Sequence, residues 1–159
     1  MLCFSDKTRA LFNPNTMDEL TKAYTMNRRL LIVEDHDSLR LLMSSFFSKS
    51  FEVITAKNGL EAMTWLSKGI IPDLILTDAR MPELNGAQFL SSLRCSGLYR
   101  HIPVVVVSGQ PSEEEERTFR QLGARDVVRK PFNPVKLREQ LNQISLVPTP
   151  ASPGSHPMA

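Results

Sequence analysis

Cysteine is scarce in this chain, and so are long apolar runs and any strong excess of one charge. Its only two cysteines, Cys3 and Cys95, form neither a CxxC pair nor a Cys/His metal motif, which excludes a disulfide framework and indicates a reducing compartment. No stretch approaches the roughly 18 apolar residues of a membrane-spanning helix. The net charge of +2 indicates no nucleic-acid partner, because such binding needs concentrated basic patches.

The N-terminal residues are interrupted by charge at Asp6, Lys7 and Arg9 before an apolar segment of signal-peptide length can form. The lack of a signal peptide and of a membrane-spanning run together predict a cytoplasmic protein without a membrane partner. What is present is the composition of an ordinary soluble domain, with 42% hydrophobic and 23% charged residues. A length of 159 residues is close to the usual size of one domain.

Five apolar runs alternate with five stretches of helical periodicity in the middle of the chain. Short runs rich in β-branched residues predict strands, and apolar residues three or four positions apart predict the helices between them. The predicted strands are 30–33, 51–55, 73–78, 104–107 and 126–129. This alternation predicts an α/β fold with a doubly wound five-stranded parallel sheet, because each right-handed crossover helix covers one face of the sheet.

Polar residues mark where several of these helices begin and end. Asn58-Gly59 precedes the second helix, and Ser112 is an expected N-cap of the fourth. The acidic run 113–116 then lies at the positive end of the helix dipole, so we interpret it as a helix start rather than as a docking site for a basic partner. Gly123 suits the end of that helix, and Asn133-Pro134 opens the last one.

The two ends of the chain differ from this middle part. Residues 1–27 form an N-terminal extension. Within it, Thr16 to Glu19 has the spacing of a capping box, which would begin one short amphipathic helix. An unstructured leader is an equally good interpretation. Residues 28–145 are expected to form the folded domain. Residues 146–159 are rich in proline and serine, which predicts a disordered tail or the stump of a linker.

Polar residues follow four of the five predicted strands at their carboxyl ends, where an open doubly wound sheet binds its ligands. Glu34 and Asp35 follow the first strand, Asp78 ends the third, Ser108 follows the fourth and Lys130 follows the fifth. Taken singly, each residue has an ordinary explanation: a carboxylate can cap a helix, the serine can begin a turn and the lysine can be solvated. Their joint placement favours a common site.

Three carboxylates in one place predict a cation among them, because two such charges about 4 Å apart repel by about 4 kcal/mol at an effective dielectric near 20. Oxygen ligands without histidine or cysteine suit a hard ion such as Mg²⁺. Lys130 and Ser108 can hold phosphoryl oxygens, and Gly109 leaves room for a phosphoryl donor. Asp78 can act as the nucleophile and form an acyl phosphate.

Four segments of the chain resemble the receiver domains of response regulators in two-component signalling. They are LLIVEDHDSLR (30–40), PDLILTDARMPELNG (72–86), IPVVVVSG (102–109) and GARDVVRKPF (123–132). The resemblance covers nearly all of the predicted domain and implies a flavodoxin-like (βα)5 fold with strand order 2-1-3-4-5.

The resemblance also implies roles for the residues of the site. Asp78 would be the phosphoacceptor, phosphorylated by a sensor histidine kinase or a phosphotransfer protein. Asp35, Asp78 and the main-chain carbonyl of Arg80 would bind Mg²⁺ directly, with Glu34 acting through water. The serine and lysine of the site would contact the phosphoryl group and report it to the rest of the domain.

The resemblance implies that the domain signals by binding a downstream protein through the face of the fourth helix, fifth strand and fifth helix. It also allows a homodimer that forms on phosphorylation. Such a domain is not an enzyme beyond its own phosphotransfer and dephosphorylation. Pro131 is expected to follow a cis peptide bond.

Some positions depart from the pattern of similar proteins. Val127 stands where they carry an aromatic residue whose rotation accompanies the serine movement, and Arg129 is unusually large and charged for its place. Arg80 and Gln110 occupy variable positions flanking the site, which similar proteins use to tune how fast the acyl phosphate hydrolyses. Val127 keeps open an adaptor that signals without phosphorylation. A further alternative is an aspartyl-phosphate phosphohydrolase, which commonly carries a second aspartate two residues after the nucleophile, where this chain has Arg80.

Overall fold

The computed structural model describes residues 27–146 of the chain. The predicted helix after Thr16 and the predicted tail from residue 147 onward lie outside the described residues. Within them, strands and helices alternate without interruption. The elements are β1 (Arg29–Val33), α1 (Asp37–Phe47), β2 (Glu52–Ala56), α2 (Gly59–Ser67), β3 (Leu74–Asp78), α3 (Gly86–Cys95), β4 (Val104–Ser108), α4 (Glu113–Gln121), β5 (Asp126–Arg129) and α5 (Pro134–Leu146).

The five strands form one parallel sheet in the order β2-β1-β3-β4-β5, which confirms the predicted fold class and strand order. The central strands β3 and β4 are buried along their whole length. The edge strands β2 and β5 are partly exposed, because each has a neighbour on one side only. The carboxyl ends of all five strands therefore meet at one edge of the sheet.

Successive residues of each strand face opposite layers of helices, as the pleat of a strand requires. In β1, Leu30 and Ile32 pack in the layer of α1 and α5, while Leu31 and Val33 pack in the layer of α2, α3 and α4. The largest helix residues in these two cores are Met43, Phe47, Leu137 and Leu141 on one side, and Leu66, Phe89, Leu90, Leu93 and Phe119 on the other. Each such side chain contributes about 1.5–3 kcal/mol through burial.

The predicted helix ends are confirmed. Asn58 Oδ1 accepts a hydrogen bond from the Glu61 backbone N–H at 2.8 Å, and Ser112 Oγ accepts one from Glu115 N–H at 3.1 Å. Gly123 has φ +97° after α4, a left-handed conformation that favours glycine. Every helix within residues 27–146 is too short or too polar to span a bilayer.

Candidate functional site

The carboxyl edge of the sheet brings the predicted site residues to neighbouring strand ends. Backbone hydrogen bonds continue the sheet beyond the strands. The Glu34 N–H donates to the Ala56 carbonyl at 3.0 Å, and the Ala79 N–H donates to the Val107 carbonyl at 2.9 Å. Lys130 N–H donates to the Ser108 carbonyl at 2.8 Å. These bonds hold the loops that follow β1, β3 and β5 in a defined register, so the polar side chains are carried on a rigid frame.

An acidic cluster lies at this edge. Ligand atoms of Glu34, Asp35, Asp78 and His36 all lie within 4.8 Å of one another. Glu34 and Asp78 are buried, Asp35 is partly exposed and His36 is exposed. Carboxylates this close, two of them shielded from water, repel strongly unless a positive charge lies among them.

Lys130 supplies one positive charge. Its Nζ lies 3.1 Å from Glu34 Oε2 and 3.5 Å from Asp78 Oδ2, and 24% of its side chain is exposed. One ammonium offsets one of three carboxylate charges. The local charge balance therefore favours binding of a further divalent cation.

The donor atoms fit such a cation. Asp35 Oδ1 is buried and accepts no hydrogen bond, and a buried carboxylate oxygen without a hydrogen bond is costly. Carboxylate oxygens are the ligands that Mg²⁺ and Mn²⁺ favour. Glu34, Asp35 and Asp78 are therefore a group of residues that could hold a metal ion.

The environment of Asp78 raises the pKa of its carboxyl group above the usual value. Burial is the main cause, and the charge of Glu34 adds to it. Lys130 and the backbone N–H groups of Arg80 and Ala79 act in the opposite direction. Without a metal ion, the folded state therefore holds the Asp78 proton more tightly than the unfolded chain does.

This shift predicts that Asp78→Asn stabilises the metal-free protein. A carboxyl group whose pKa is raised by folding contributes stability while it is protonated, and that contribution is lost as the pH rises through the folded-state pKa. At pH 7 the loss of the Asp78 proton costs more free energy in the folded state than in the unfolded chain, and a neutral asparagine removes this cost. In EDTA, urea denaturation should give Asp78→Asn a higher free energy of unfolding at pH 7, and the gain should shrink as the pH falls. Equal stability at pH 7 would contradict the argument.

Ser108 and Gly109 border the cluster at the end of β4. Ser108 is 1% exposed, and its Oγ has no hydrogen-bond partner. A buried hydroxyl without a partner is costly, so a ligand oxygen would satisfy it. A Cβ built at Gly109 would meet no atom within 4 Å, which leaves the approach beside Ser108 open.

Arg80 contributes no side chain to the cluster. This side chain is 79% exposed, and its Nη2 lies 3.9 Å from Glu115 Oε2. The role of its main-chain carbonyl stays a prediction. The peptide bond between Lys130 and Pro131 is cis, as the resemblance predicts.

Two residues of the site were missed by sequence reasoning. His36 occupies the N-cap position of α1 without a side-chain capping bond, and its Nδ1 lies 3.1 Å from Glu34 Oε1. Arg40 Nη1 donates to the Glu34 carbonyl at 2.8 Å and so supports the loop after β1. His36 could have been found because it directly follows two carboxylates at a strand end. Arg40 carries no comparable signal.

The hydrogen bond to Glu34 is the main cause of a raised pKa of His36, and the charge of Asp35 adds to it. Both carboxylates stabilise the imidazolium form. Protonation of this ring would offset part of the negative charge of the cluster.

The family model of the response regulator receiver domain matches residues 30–142. A chemotaxis protein CheY homolog of Campylobacter jejuni is 28% identical over 118 residues, which cover 73% of this chain and 91% of that protein. The structure of the chemotaxis response regulator CheY4 of Vibrio cholerae superposes with a TM-score of 0.67 at 29% identity, covering 74% of this chain and 98% of that chain. The Mn²⁺-bound response regulator Rcp1 gives a TM-score of 0.65 at 25% identity, covering 79% and 100%.

Proposed function

Because the chain belongs to the response regulator receiver domain family, we propose that it is a phosphoacceptor in a two-component or phosphorelay system and that Asp78 carries the phosphoryl group. One observation carries this proposal above the others. The buried carboxylate of Asp78 lies within the acidic cluster and 3.5 Å from the ammonium of Lys130. This supports the proposal, because the proposed nucleophile then lies beside the proposed cation ligands and beside a charge that can hold phosphoryl oxygens.

The proposed reaction moves a phosphoryl group from a histidine of the donor protein to Asp78. An Asp78 carboxylate oxygen forms a bond to phosphorus, and the bond between phosphorus and the donor imidazole nitrogen breaks. The imidazole keeps the electron pair and takes up a proton. Lys130 and Ser108 hold the phosphoryl oxygens, and Lys130 stabilises the charge that develops on them.

For the cation we propose Mg²⁺ held by Asp35, Asp78 and the Arg80 carbonyl, with Glu34 acting through water. When bound, the ion would neutralise charge on the phosphoryl oxygens. The Mn²⁺ in the structure of the related Rcp1 supports a divalent cation. The carboxylate donors of this chain, and the buried Asp35 oxygen that accepts no hydrogen bond, support it independently.

The proposed upstream partner is a sensor histidine kinase or a phosphotransfer protein. The proposed downstream partner is a target protein that binds the face formed by α4, β5 and α5, and all of these proteins would be cytoplasmic. Homodimerisation on phosphorylation is a subsidiary proposal. Ion pairs connect this face: Arg129 Nη2 lies 2.7 Å from Glu116, and Arg120 Nη2 lies 2.9 Å from Asp126. Arg129 directly precedes Lys130, so movement of the lysine toward a phosphoryl group would reach α4 through Glu116.

A second candidate function is an adaptor that keeps the fold but works without phosphorylation. Val127 favours it, because this side chain packs among the partly buried residues beside the α2–α4 layer where similar proteins have a rotating aromatic ring. The intact acidic cluster and Lys130 favour the phosphoacceptor instead. A phosphohydrolase has less support, because the side chain at position 80 is an exposed arginine beside Glu115.

The two functions differ in their response to a phosphoryl mimic. On addition of Mg²⁺ and beryllofluoride, the amide NMR spectrum of a phosphoacceptor should change at Asp78, Ser108 and Lys130 and then across α4 and β5. The same addition should leave the spectrum of Asp78→Asn nearly unchanged, because beryllofluoride needs the carboxylate. An unaltered spectrum of the original chain would favour the adaptor.

A further inference from the structure

An apolar groove of about 530 Å³ lies between α1 and the start of α5, and it is named the α1–α5 groove below. Nearly all of its lining is apolar. Leu42, which lines it from α1, is 67% exposed. A concave apolar surface open to solvent typically marks a place where another group binds. The lining side chains from the two sides are Leu39, Leu42, Met43, Phe46, Phe132 and Pro134.

The border of this groove is positively charged. The Arg138 guanidinium carbon lies 5.2 Å from the centre of the Phe46 ring, and this ring lines the groove. The charge of Lys130, at the other border, is already balanced by Glu34 and Asp78. An occupant with apolar side chains and a carboxylate would therefore match both the lining and the charge of Arg138.

The chain enters the domain beside the end of α1. The Arg28 carbonyl accepts the Glu52 N–H at 2.9 Å, and the neighbouring Phe51 N–H donates to the Phe47 carbonyl at 2.9 Å. Phe47 is the last residue of α1. Residues 1–26 are consequently joined to the domain next to the last turn of the helix that forms one side of the groove.

The segment 16–24, with the sequence TMDELTKAY, has the pattern and the length to occupy the groove. Its apolar side chains at Met17, Leu20 and Tyr24 have the i, i+3, i+7 spacing of an amphipathic helix that binds a groove. Nine helical residues are about 14 Å long, similar to the roughly 16 Å of α1. Residues 25–28 can span about 13 Å when extended, enough to connect this helix to β1.

Charge favours this segment over the other end of the chain. Asp18 and Glu19 can supply the carboxylate that would pair with Arg138. Residues 147–159 contain no acidic residue and have four prolines, which interrupt a helix. A segment tethered by a short connection also has an effective concentration of about the mM range, which favours it over a separate protein.

We propose that residues 16–24 bind the α1–α5 groove of their own chain as an amphipathic helix. Met17, Leu20 and Tyr24 face the groove, and the acidic residues face Arg138. Because Lys130 lines one end of the groove, the bound segment connects the N-terminal extension to the edge of the acidic cluster. The inference goes beyond the proposed function, since this contact needs neither a metal ion nor a phosphoryl group.

The test is hydrogen–deuterium exchange of the full chain, followed by mass spectrometry. The backbone amides of residues 17–24 should exchange about tenfold or more slowly in the original chain than in Leu42→Asp, because burying one leucine contributes that much. Leu42 is exposed, so its replacement leaves the cores of the domain intact. Leu98→Asp is the matched control, because Leu98 is 71% exposed and lies outside the groove. It should keep the slow exchange.

A second pair of variants tests the same contact from the segment. Leu20→Asp should give the fast exchange of Leu42→Asp, whereas Leu11→Asp, outside residues 16–24, should keep the slow exchange. Equally fast exchange in the original chain and in Leu42→Asp would overturn the inference and leave the groove to a separate partner. Protection that is lost on dilution would also overturn it, because the segment would then bind a second copy of the chain.

Discussion

Asp78→Asn is expected to abolish phosphorylation completely. After incubation with acetyl phosphate and Mg²⁺, intact-mass spectrometry should show the mass of one added phosphoryl group on the original chain and none on the variant. The reason is chemical, because the amide of asparagine has no ionised oxygen to attack phosphorus. The substitution also keeps the size of the side chain, so the rest of the pocket stays filled. Removing Mg²⁺ with EDTA should suppress the reaction of the original chain.

Asp73→Asn provides a matched control at the other end of the same strand. Asp73 Oδ2 accepts the Arg29 backbone N–H at 2.8 Å, so this carboxylate has a structural partner and no access to the acidic cluster. The control should gain the phosphoryl group like the original chain. Equal labelling of Asp78→Asn would show that the phosphoacceptor is another residue. No labelling of the original chain under any condition would favour the adaptor function.

Gly86→Ala is expected to destabilise the protein by about 1–3 kcal/mol, the usual cost of forcing extra atoms into a packed site. A Cβ at Gly86 would lie 2.5 Å from the Asp78 carbonyl oxygen and 2.9 Å from Ala79 Cα. Both atoms belong to the backbone and cannot rotate away. The start of α3 or the end of β3 must therefore move, and β3 carries Asp78. Urea denaturation measures the loss as a lower free energy of unfolding.

Gly97→Ala is the matched control for this substitution. Gly97 lies in the loop after α3, and a Cβ built there would meet no atom within 4 Å. Its free energy of unfolding should stay within about 0.5 kcal/mol of the original value, as for most surface substitutions. If Gly86→Ala and Gly97→Ala had the same free energy of unfolding, this would contradict the conclusion that α3 packs too closely against the end of β3 to accept a Cβ at position 86.

The strands and helices could be predicted from the sequence because the residue patterns that indicate them are local. The run Val104–Val107 has no helical periodicity, and Ser112 followed by acidic residues marks the start of α4. The boundary of β2 was one residue off: the strand is Glu52–Ala56, whereas 51–55 was predicted. Phe51 is buried in the α1 and α5 layer, and its apolar character resembles that of a strand residue.

Part of the site could also be predicted from the sequence, because the carboxyl ends of parallel strands meet at one edge of the sheet. This rule places Glu34, Asp78 and Lys130 close together from the sequence alone. It could not assign His36, because a strand-end rule says which loops meet and not which way an exposed ring turns. Nor could it indicate that Arg40, on α1, reaches back to the Glu34 carbonyl.

The amino-acid sequence by itself determined the alternating elements, the chemistry available at each strand end and the family resemblance, since all three depend on short-range patterns of residue type. Only the tertiary structure decided which atoms meet. Lys130 and Glu34 are 96 positions apart in the chain, yet their charged atoms are 3.1 Å apart. That distance is set by the register of the five-stranded sheet and by the packing of helices on both faces, which act over the whole domain.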